Sequence, residues 1–292
     1  MAIKVLTKEL GEKMIRRLLI IGGPNTFKTT AIVRTADRPL HILSYPGEKG
    51  TGVIPTTEPN IKVYIWEEED AAQFSISKQI EDIERTTWDI LSGKFGEVKT
   101  FAGDGLHKLA SLYWNREYQK LLSNYKTQIA QGKADRDGTP LEEALKLRAY
   151  GNENFGACKA ILQYITRVNQ SNVHTVMFTC WEGVEVEDKE MTGSNARHVF
   201  ADLPGRLARR IVGEFGVVLY ATVSLPIPDP AHPGQAIQKG EWQIRKAGRV
   251  WGVGAKIPYE LALKLPEKIP QDWQKLYPLL AGVIQQTKEA IK

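Results

Sequence analysis

The sequence predicts an α/β fold in which a mostly parallel central sheet is flanked by helices on both faces. Short apolar segments of strand length alternate along the 292-residue chain with longer segments of helical length, and this alternation is typical of βαβ units. The first apolar segment, residues 17–21, ends in a glycine turn, and a Lys-Thr pair opens the segment after it. We expect one domain over residues 1–292, with its core at about 17–258.

The composition is that of an ordinary soluble protein, with 42% hydrophobic and 25% charged residues. No apolar run is long enough to span a membrane, and the N-terminus lacks the apolar region of a signal peptide, so we predict a cytoplasmic protein without a membrane partner. The cysteines, Cys158 and Cys180, are far apart in apolar surroundings and are predicted to be buried free thiols. The net charge of +5 permits an anionic partner without requiring one.

The predicted strands are short and mainly apolar. They cover residues 17–21, 40–43, 61–66, 98–102, 173–178, 217–223 and 242–245. The predicted helical segments are a lead-in before residue 17, a helix opening at residue 29, a stretch ending near 91, an insertion at about 106–150, the segments 155–168 and 203–214, and a tail over 259–292. Residues 182–198 are polar and are predicted to form a loop or hairpin.

The turn after the first strand follows the order strand, G-x-x-x-x-G-K-[ST], helix, which is the pattern of a phosphate-binding P-loop. Gly22 fills the first glycine position, Lys28 the lysine and Thr29 the hydroxyl. In such a loop backbone N–H groups surround a polyphosphate, the lysine contacts the terminal phosphates and the hydroxyl ligates Mg²⁺. The predicted nucleotide-binding residues are therefore Gly22, Gly23, Pro24, Asn25, Thr26, Phe27, Lys28, Thr29 and Thr30.

Phe27 departs from the motif because it occupies the second glycine position. Backbone N–H groups form most of a phosphate site, so a side chain is tolerable there if it points away from the nucleotide. Its β-carbon restricts the backbone angles that glycine would allow. We expect Phe27 to pack against the neighbouring helix or strand, so that the Lys28 side chain can still contact the phosphates.

Polar residues follow two other predicted strands, at the edge where ligands of parallel sheets bind. Asp104 follows the strand at 98–102 and is predicted to hold Mg²⁺ together with Thr29, although an aspartate there can also be a turn or helix cap. Thr179 ends the strand at 173–178 and could sense a γ-phosphate. Trp181 is predicted either to belong to this site or to fill a corner of the core. The five histidines show no metal-binding spacing.

The order of these motifs resembles that of phage-encoded RecA-like P-loop ATPases, over most of residues 17–258. The resemblance rests on Gly22 to Thr30, Glu48-x-Gly50, Asp104, the strand ending at Thr179, Leu203-Pro204-Gly205 and Ala255-Lys256. It implies a RecA-like fold, ATP and Mg²⁺ as cofactors, self-assembly and single-stranded DNA as a partner. Some members of the group act beside single-strand annealing or single-strand-binding proteins in recombination. A phage-encoded protein of this kind would lie in the host cytoplasm.

The resemblance also assigns catalytic roles. Glu48 would orient the attacking water, although the residue alone could equally be a solvated loop glutamate. Lys28 would neutralise the β- and γ-phosphates, and Lys256 would act across a subunit boundary. Two basic groups could serve DNA or a neighbouring subunit, or simply be solvated. They are Arg206, Arg209 and Arg210 in the first group, and Arg245, Lys246, Arg249 and Lys256 in the second.

Three positions depart from the family pattern. Phe27 replaces a glycine, Trp181 stands where relatives commonly carry histidine, and Gly216 stands where an aspartate often follows Phe215. We predict an ATPase that acts on single-stranded DNA in phage recombination or replication. Phe27 and Trp181 favour the alternative of a nucleotide-binding assembly or regulatory module with negligible turnover. A small-molecule kinase shares the loop, but no acceptor-binding signature is present in the sequence.

Overall fold

The structure, a computed structural model, describes residues 8–48, 58–66, 74–131, 152–186, 197–204, 207–232, 235–243 and 265–289. The strands are β1 Arg17–Ile21, β2 Leu40–Ser44, β3 Ile61–Tyr64, β4 Thr100–Asp104, β5 Thr175–Cys180, β6 Glu182–Val186, β7 Arg197–Ala201, β8 Val217–Val223, β9 Ile227–Pro228, β10 Ala236–Ile237, β11 Gly240–Gln243 and β12 Lys268–Pro270. The helices are α1 Lys8–Ile15, α2 Lys28–Thr35, α3 Ile76–Leu91, α4 Leu106–Ala130, α5 Asn152–Gln170, α6 Leu207–Arg210 and α7 Trp273–Glu289, with a 3₁₀ turn at Ile211–Glu214.

The central sheet has eight strands in the order β12-β11-β8-β1-β5-β4-β2-β3. The six strands from β8 to β3 pair in parallel, whereas β11 is antiparallel to both β8 and β12. The strand β1 lies between β5 and β8, with Leu19 opposite Phe178 on one side and Val218 on the other. The predicted mostly parallel α/β fold, flanked by helices, is therefore confirmed.

Alternate residues of the strands face two separate cores, as the two-residue period of a strand requires. Leu18 and Ile20 of β1 pack with residues of α2 and α7 on one face of the sheet. Leu19 and Ile21 pack with residues of α3, α4 and α5 on the other face. Because both faces are covered, the central strands are mainly apolar, which is the reason their sequence pattern is near-continuous rather than alternating.

Two predicted elements lie elsewhere than expected. The strand predicted at 98–102 runs from Thr100 to Asp104, because β2 pairs with it up to Ser44 opposite Asp104. Asp104 is thus the last residue of the strand rather than a residue beyond it. The basic helix predicted at 203–214 is only α6 followed by a 3₁₀ turn, which contains the weak helix former Gly213.

Residues after 259, which we expected to be a helical tail, also contribute to the sheet. Residues 268–270 form β12 at its edge, and Ile269 pairs with Trp242 of β11. The strand is three residues long and ends in Pro270, which an edge strand tolerates because one side needs no hydrogen bonds. So short a strand has no periodicity that the sequence could reveal.

Other features of the described residues agree with the sequence. Cys158 and Cys180 are buried and free, as predicted. Residues 182–186 and 197–201 pair as the antiparallel strands β6 and β7, which is the predicted hairpin. Among the helices of the described ranges, none is both long and apolar enough to cross a bilayer.

Candidate functional site

The loop between β1 and α2 starts at a glycine that the packing requires. A β-carbon on Gly22 would lie 2.5 Å from the carbonyl oxygen of Ala221 in β8. The N–H of Gly22 donates to the carbonyl oxygen of Cys180 in β5 at 3.2 Å. The chain therefore leaves the sheet between two neighbouring strands at a distance that only glycine allows.

Lys28 is the first residue of α2 and is buried under the loop. Its Nζ donates to the carbonyl oxygens of Gly22 at 2.9 Å and Gly23 at 2.6 Å. Burial lowers the pKa of Lys28, and the nearby carboxylate of Asp104 opposes that shift. The ammonium group is thus held on the inner side of the loop, beside the helix N-terminus, whose first N–H groups have no acceptor within the helix.

Thr29 and Asp104 meet at the carboxyl edge of the sheet. The Thr29 hydroxyl donates to Asp104, at 3.0 Å from Oδ1 and 3.0 Å from Oδ2. The Thr179 hydroxyl at the end of β5 donates to the same carboxylate and accepts from the N–H of Gly105 at 2.9 Å. Three separate segments therefore converge on Asp104, which is 2% exposed.

Burial raises the pKa of Asp104 to about 6. The hydrogen bond from Thr179 opposes the rise, the negative charge of Glu48 adds to it, and the hydrogen bond from Thr29 opposes it. The positive charge of Lys28 opposes it as well. A divalent cation would add further positive charge beside the carboxylates of Asp104 and Glu48.

The donors at this edge fit Mg²⁺. A hydroxyl and a carboxylate are hard oxygen ligands, and Mg²⁺ is commonly held by one or two carboxylates together with phosphate oxygens and water. Within the described ranges no group of three or more His, Cys, Asp or Glu side chains is placed to hold a metal. Thr29 and Asp104 would therefore hold Mg²⁺ jointly with a phosphate ligand.

Glu48 reaches the same edge from the loop after β2. Its side chain is 13% exposed, and its Oε2 lies 3.8 Å from Nε2 of His107. A β-carbon on Gly105 would lie 2.9 Å from that Oε2, and Gly105 has a φ of +88°. Glycine after Asp104 therefore both makes the turn into α4 and leaves room for the Glu48 carboxylate.

His107 and Trp181 form the wall beside Glu48. Their rings are stacked, with centroids 4.5 Å apart and an interplanar angle of 21°, and Lys108 Nζ lies 5.1 Å from the centre of the Trp181 ring. His107 is 6% exposed, and neither of its ring nitrogens has a hydrogen-bond partner among the residues described. Burial lowers its pKa to about 4, assisted by the charges of Lys108 and Lys28.

Trp181 does not fill a corner of the core. It directly follows β5 and remains 36% exposed, with its side chain on the wall of the cavity above the loop. Its indole ring therefore belongs to the site.

Phe27 adopts the left-handed conformation, with φ 59° and ψ 19°, at the entry to α2. For a bulky residue this conformation costs roughly 1–2 kcal/mol. The expectation that Phe27 packs against a helix or strand is wrong, because its side chain is 41% exposed. The ring lines the walls of two adjoining cavities, since the loop conformation holds it at the surface.

The larger cavity has a volume of about 710 Å³, which is within the usual range of ligand sites. Most of the predicted site residues line it. They are Pro24, Asn25, Thr26, Phe27, Lys28, Thr29, Thr30, Glu48, Asp104, Thr179 and Trp181. Lys256 and the basic residues Arg206, Arg245, Lys246 and Arg249 lie outside the described residues.

Sequence reasoning missed Gln238, which lines the larger cavity, and two residues that contact the site from beside it. His107 follows Asp104 by three positions at the start of α4, so its proximity to the sheet edge could have been inferred from the turn at Gly105. Gln271 donates from Nε2 to the carbonyl oxygen of Thr26 at 2.9 Å, across 245 positions of sequence. No local pattern indicates that contact.

The loop after β1, the mostly parallel sheet and the Thr29–Asp104 pair have the arrangement that the P-loop pattern of the sequence predicts. No protein-family model matches the chain, and no curated protein matches its sequence. One similar solved structure is that of a prototypical ATPase from the type III secretion system of pathogenic bacteria. It is 11% identical, with a TM-score of 0.38, and the match covers 74% of this chain but only 54% of that one. A likeness of that size supports no conclusion about function.

Proposed function

We propose that the chain binds ATP with Mg²⁺ at this site and hydrolyses it. The observation that carries the proposal is the Thr29 hydroxyl at 3.0 Å from both carboxylate oxygens of Asp104, directly after a lysine held under the loop. A lysine, a hydroxyl and an acidic residue at the end of a nearby strand are the groups that a P-loop uses for nucleotide and metal.

The lysine supplies positive charge to the phosphates. In the absence of nucleotide the Lys28 ammonium is bonded to carbonyl oxygens of Gly22 and Gly23. Charge-assisted bonds to phosphate are stronger than bonds to neutral carbonyls, so we expect the ammonium to turn to the β- and γ-phosphates. Thr29 and Asp104 would hold Mg²⁺, which supplies charge neutralisation at the phosphate oxygens.

Glu48 is the candidate for orienting the attacking water. It lies beside Asp104 on the wall of the same cavity. The water oxygen would bond to the γ-phosphorus as the bond from phosphorus to the β–γ bridging oxygen breaks. The water proton would pass to the Glu48 carboxylate or to the phosphate product. Most of the rate would then come from the positioning of the water and from neutralisation of the phosphate charge, since phosphoryl transfer needs little covalent participation of protein groups.

Phosphate release measured for the wild type, Lys28→Ala and Glu48→Gln tests the proposal. We expect Lys28→Ala to lose both ATP binding and turnover, and Glu48→Gln to bind ATP but turn it over far more slowly. A wild type that releases phosphate no faster than Lys28→Ala would exclude hydrolysis. If that wild type still binds ATP, the alternative of an assembly or regulatory module with negligible turnover holds, an alternative that the strained Phe27 favours.

We also propose single-stranded DNA as the partner, in phage recombination or replication in the host cytoplasm. The family resemblance, the net charge of +5 and a basic cavity support it. That cavity has a volume of about 380 Å³ on α5 and α6, and the exposed cations Lys159, Arg167 and Arg210 line it. Three further proposals rest on the resemblance alone. They are self-assembly, a single-strand annealing or single-strand-binding partner, and a role for Lys256 across a subunit boundary.

A further inference from the structure

Phe27 combines a strained backbone with an exposed aromatic ring. Glycine would adopt φ 59° without strain, and a buried ring would offset the strain by leaving water. With 41% of Phe27 exposed, a large part of the ring still faces water and contributes nothing to that offset. Residues held in sparsely populated conformations cluster at ligand sites. A ligand that covers the ring would provide the missing contact.

A second cavity adjoins the ring on the side away from Asp104. Its volume is about 300 Å³, and it shares Phe27, Thr30 and Gln238 with the larger cavity. The exposed residues Arg34 and Lys239 also line it. The two cavities therefore meet at the side chain of Phe27.

Gln271 fixes the far wall of the second cavity to the loop. Its Nε2 donates to the carbonyl oxygens of Thr26 at 2.9 Å and Glu241 at 3.1 Å. Its Oε1 is buried and has no hydrogen-bond partner within the described residues. The cavity thus has an aromatic side at Phe27, and its lining also contains the exposed side chain of Gln238.

We propose that the second cavity is the subsite for the nucleobase of the bound nucleotide, with the ring of Phe27 as its stacking surface. The inference rests on the proposed nucleotide binding. A nucleobase is a flat aromatic ring with polar edges, and it is tethered to the phosphates that the loop would hold. It is therefore the part of the ligand that matches an exposed aromatic ring and adjacent amide groups.

A comparison of the affinities of two ligands tests the subsite. ATP has a base, whereas inorganic tripolyphosphate has only the phosphates. Each ligand, in the presence of Mg²⁺, is titrated separately into the wild type, Phe27→Leu, Phe27→Trp and Lys28→Ala. Leucine keeps a bulky side chain and the backbone strain but removes the aromatic face. Stacking on an aromatic side chain predicts that Phe27→Leu weakens ATP about tenfold or more. We expect its tripolyphosphate affinity to stay within about twofold of the wild type, and Phe27→Trp to keep ATP affinity.

The outcomes separate the subsite from the nucleotide site itself. If Phe27→Leu binds ATP as the wild type does, while Lys28→Ala loses both ligands, the nucleobase subsite is wrong and nucleotide binding stands. If Phe27→Leu weakens both ligands equally, Phe27 acts only through the loop and the subsite is again wrong. If the wild type binds neither ligand, or Lys28→Ala binds both as tightly as the wild type does, the proposal of nucleotide binding at this loop is wrong. The proposed subsite is then wrong as well.

Discussion

The imidazole ring of His107 is stacked on the indole ring of Trp181, with centroids 4.5 Å apart. The two residues come from different segments, the first turn of α4 and the residue after β5. A histidine at the start of α4 therefore lies against the tryptophan on the wall of the site. Its Nε2 lies 3.8 Å from the Glu48 carboxylate, so it is placed to influence the group proposed to orient water.

We expect His107→Phe to lower kcat by about tenfold to a hundredfold with little change in KM. Phenylalanine keeps the stack on Trp181 but removes the nitrogens facing Glu48, and small misplacements of catalytic groups cost rates of this order. Steady-state phosphate release measures both constants. Trp181→Phe is the matched control, because it also keeps a stacked aromatic pair but leaves His107 intact. Equal losses of kcat in His107→Phe and Trp181→Phe would show that only the packing of the two rings contributes to the rate.

His107 also predicts a pH dependence of stability. Its pKa is about 4 in the folded protein, whereas the ordinary pKa of a histidine, which the unfolded chain should have, is 6.5. Between these values the unfolded chain binds a proton at His107 that the folded chain does not bind, so stability falls as the pH falls through this window. The loss is on the order of 2–3 kcal/mol over the whole window.

Urea unfolding of the wild type and His107→Gln at pH 7 and pH 5 measures this effect. The variant should lose less stability than the wild type on acidification. Leu225→Gln is the control, since Leu225 is exposed at the surface and the substitution removes no titratable group, so the wild-type dependence should be unchanged. An identical pH dependence in the wild type and His107→Gln would contradict the prediction.

Phe27→Gly should stabilise the protein without ligand by about 0.5–1 kcal/mol. Glycine relieves the left-handed strain, and the greater entropy of the unfolded chain cancels part of that gain. Asn25→Gly is a matched control in the same loop, because Asn25 has φ 60° and asparagine tolerates this conformation. Urea unfolding should therefore show a gain for Phe27→Gly and little or none for Asn25→Gly. A loss of stability in Phe27→Gly would mean that the ring contributes more by packing than its exposure indicates.

Replacing Lys159, Arg167 and Arg210 together with alanine should weaken binding to a single-stranded oligonucleotide at low salt. Each phosphate contact contributes about 0.7 to the slope of log affinity against log salt, so three contacts contribute about 2. Fluorescence anisotropy over a salt series measures the slope. Lys126→Ala removes another exposed cation, on α4, and should keep it. An unchanged slope in the triple variant would place any DNA site elsewhere.

The sequence by itself determined the local chemistry of the loop. Strand, glycine, lysine and threonine are contiguous in residues 17–29, and each has a local physical reason to be there. The alternation of apolar and helical segments determined the parallel sheet, because parallel strands need crossovers. The rule that ligands bind at the carboxyl ends of strands then placed Asp104 near Thr29, 75 positions away.

Only the tertiary structure decided what surrounds that loop. The contact of Gln271 with Thr26, the stack of His107 on Trp181 and the strand β12 depend on packing between distant segments. The exposure of Phe27 likewise could not be predicted from the sequence, because the turn between β1 and α2 imposes its left-handed conformation. A contiguous motif carries its own geometry, whereas side chains that meet across the sheet are positioned by the order and register of its strands.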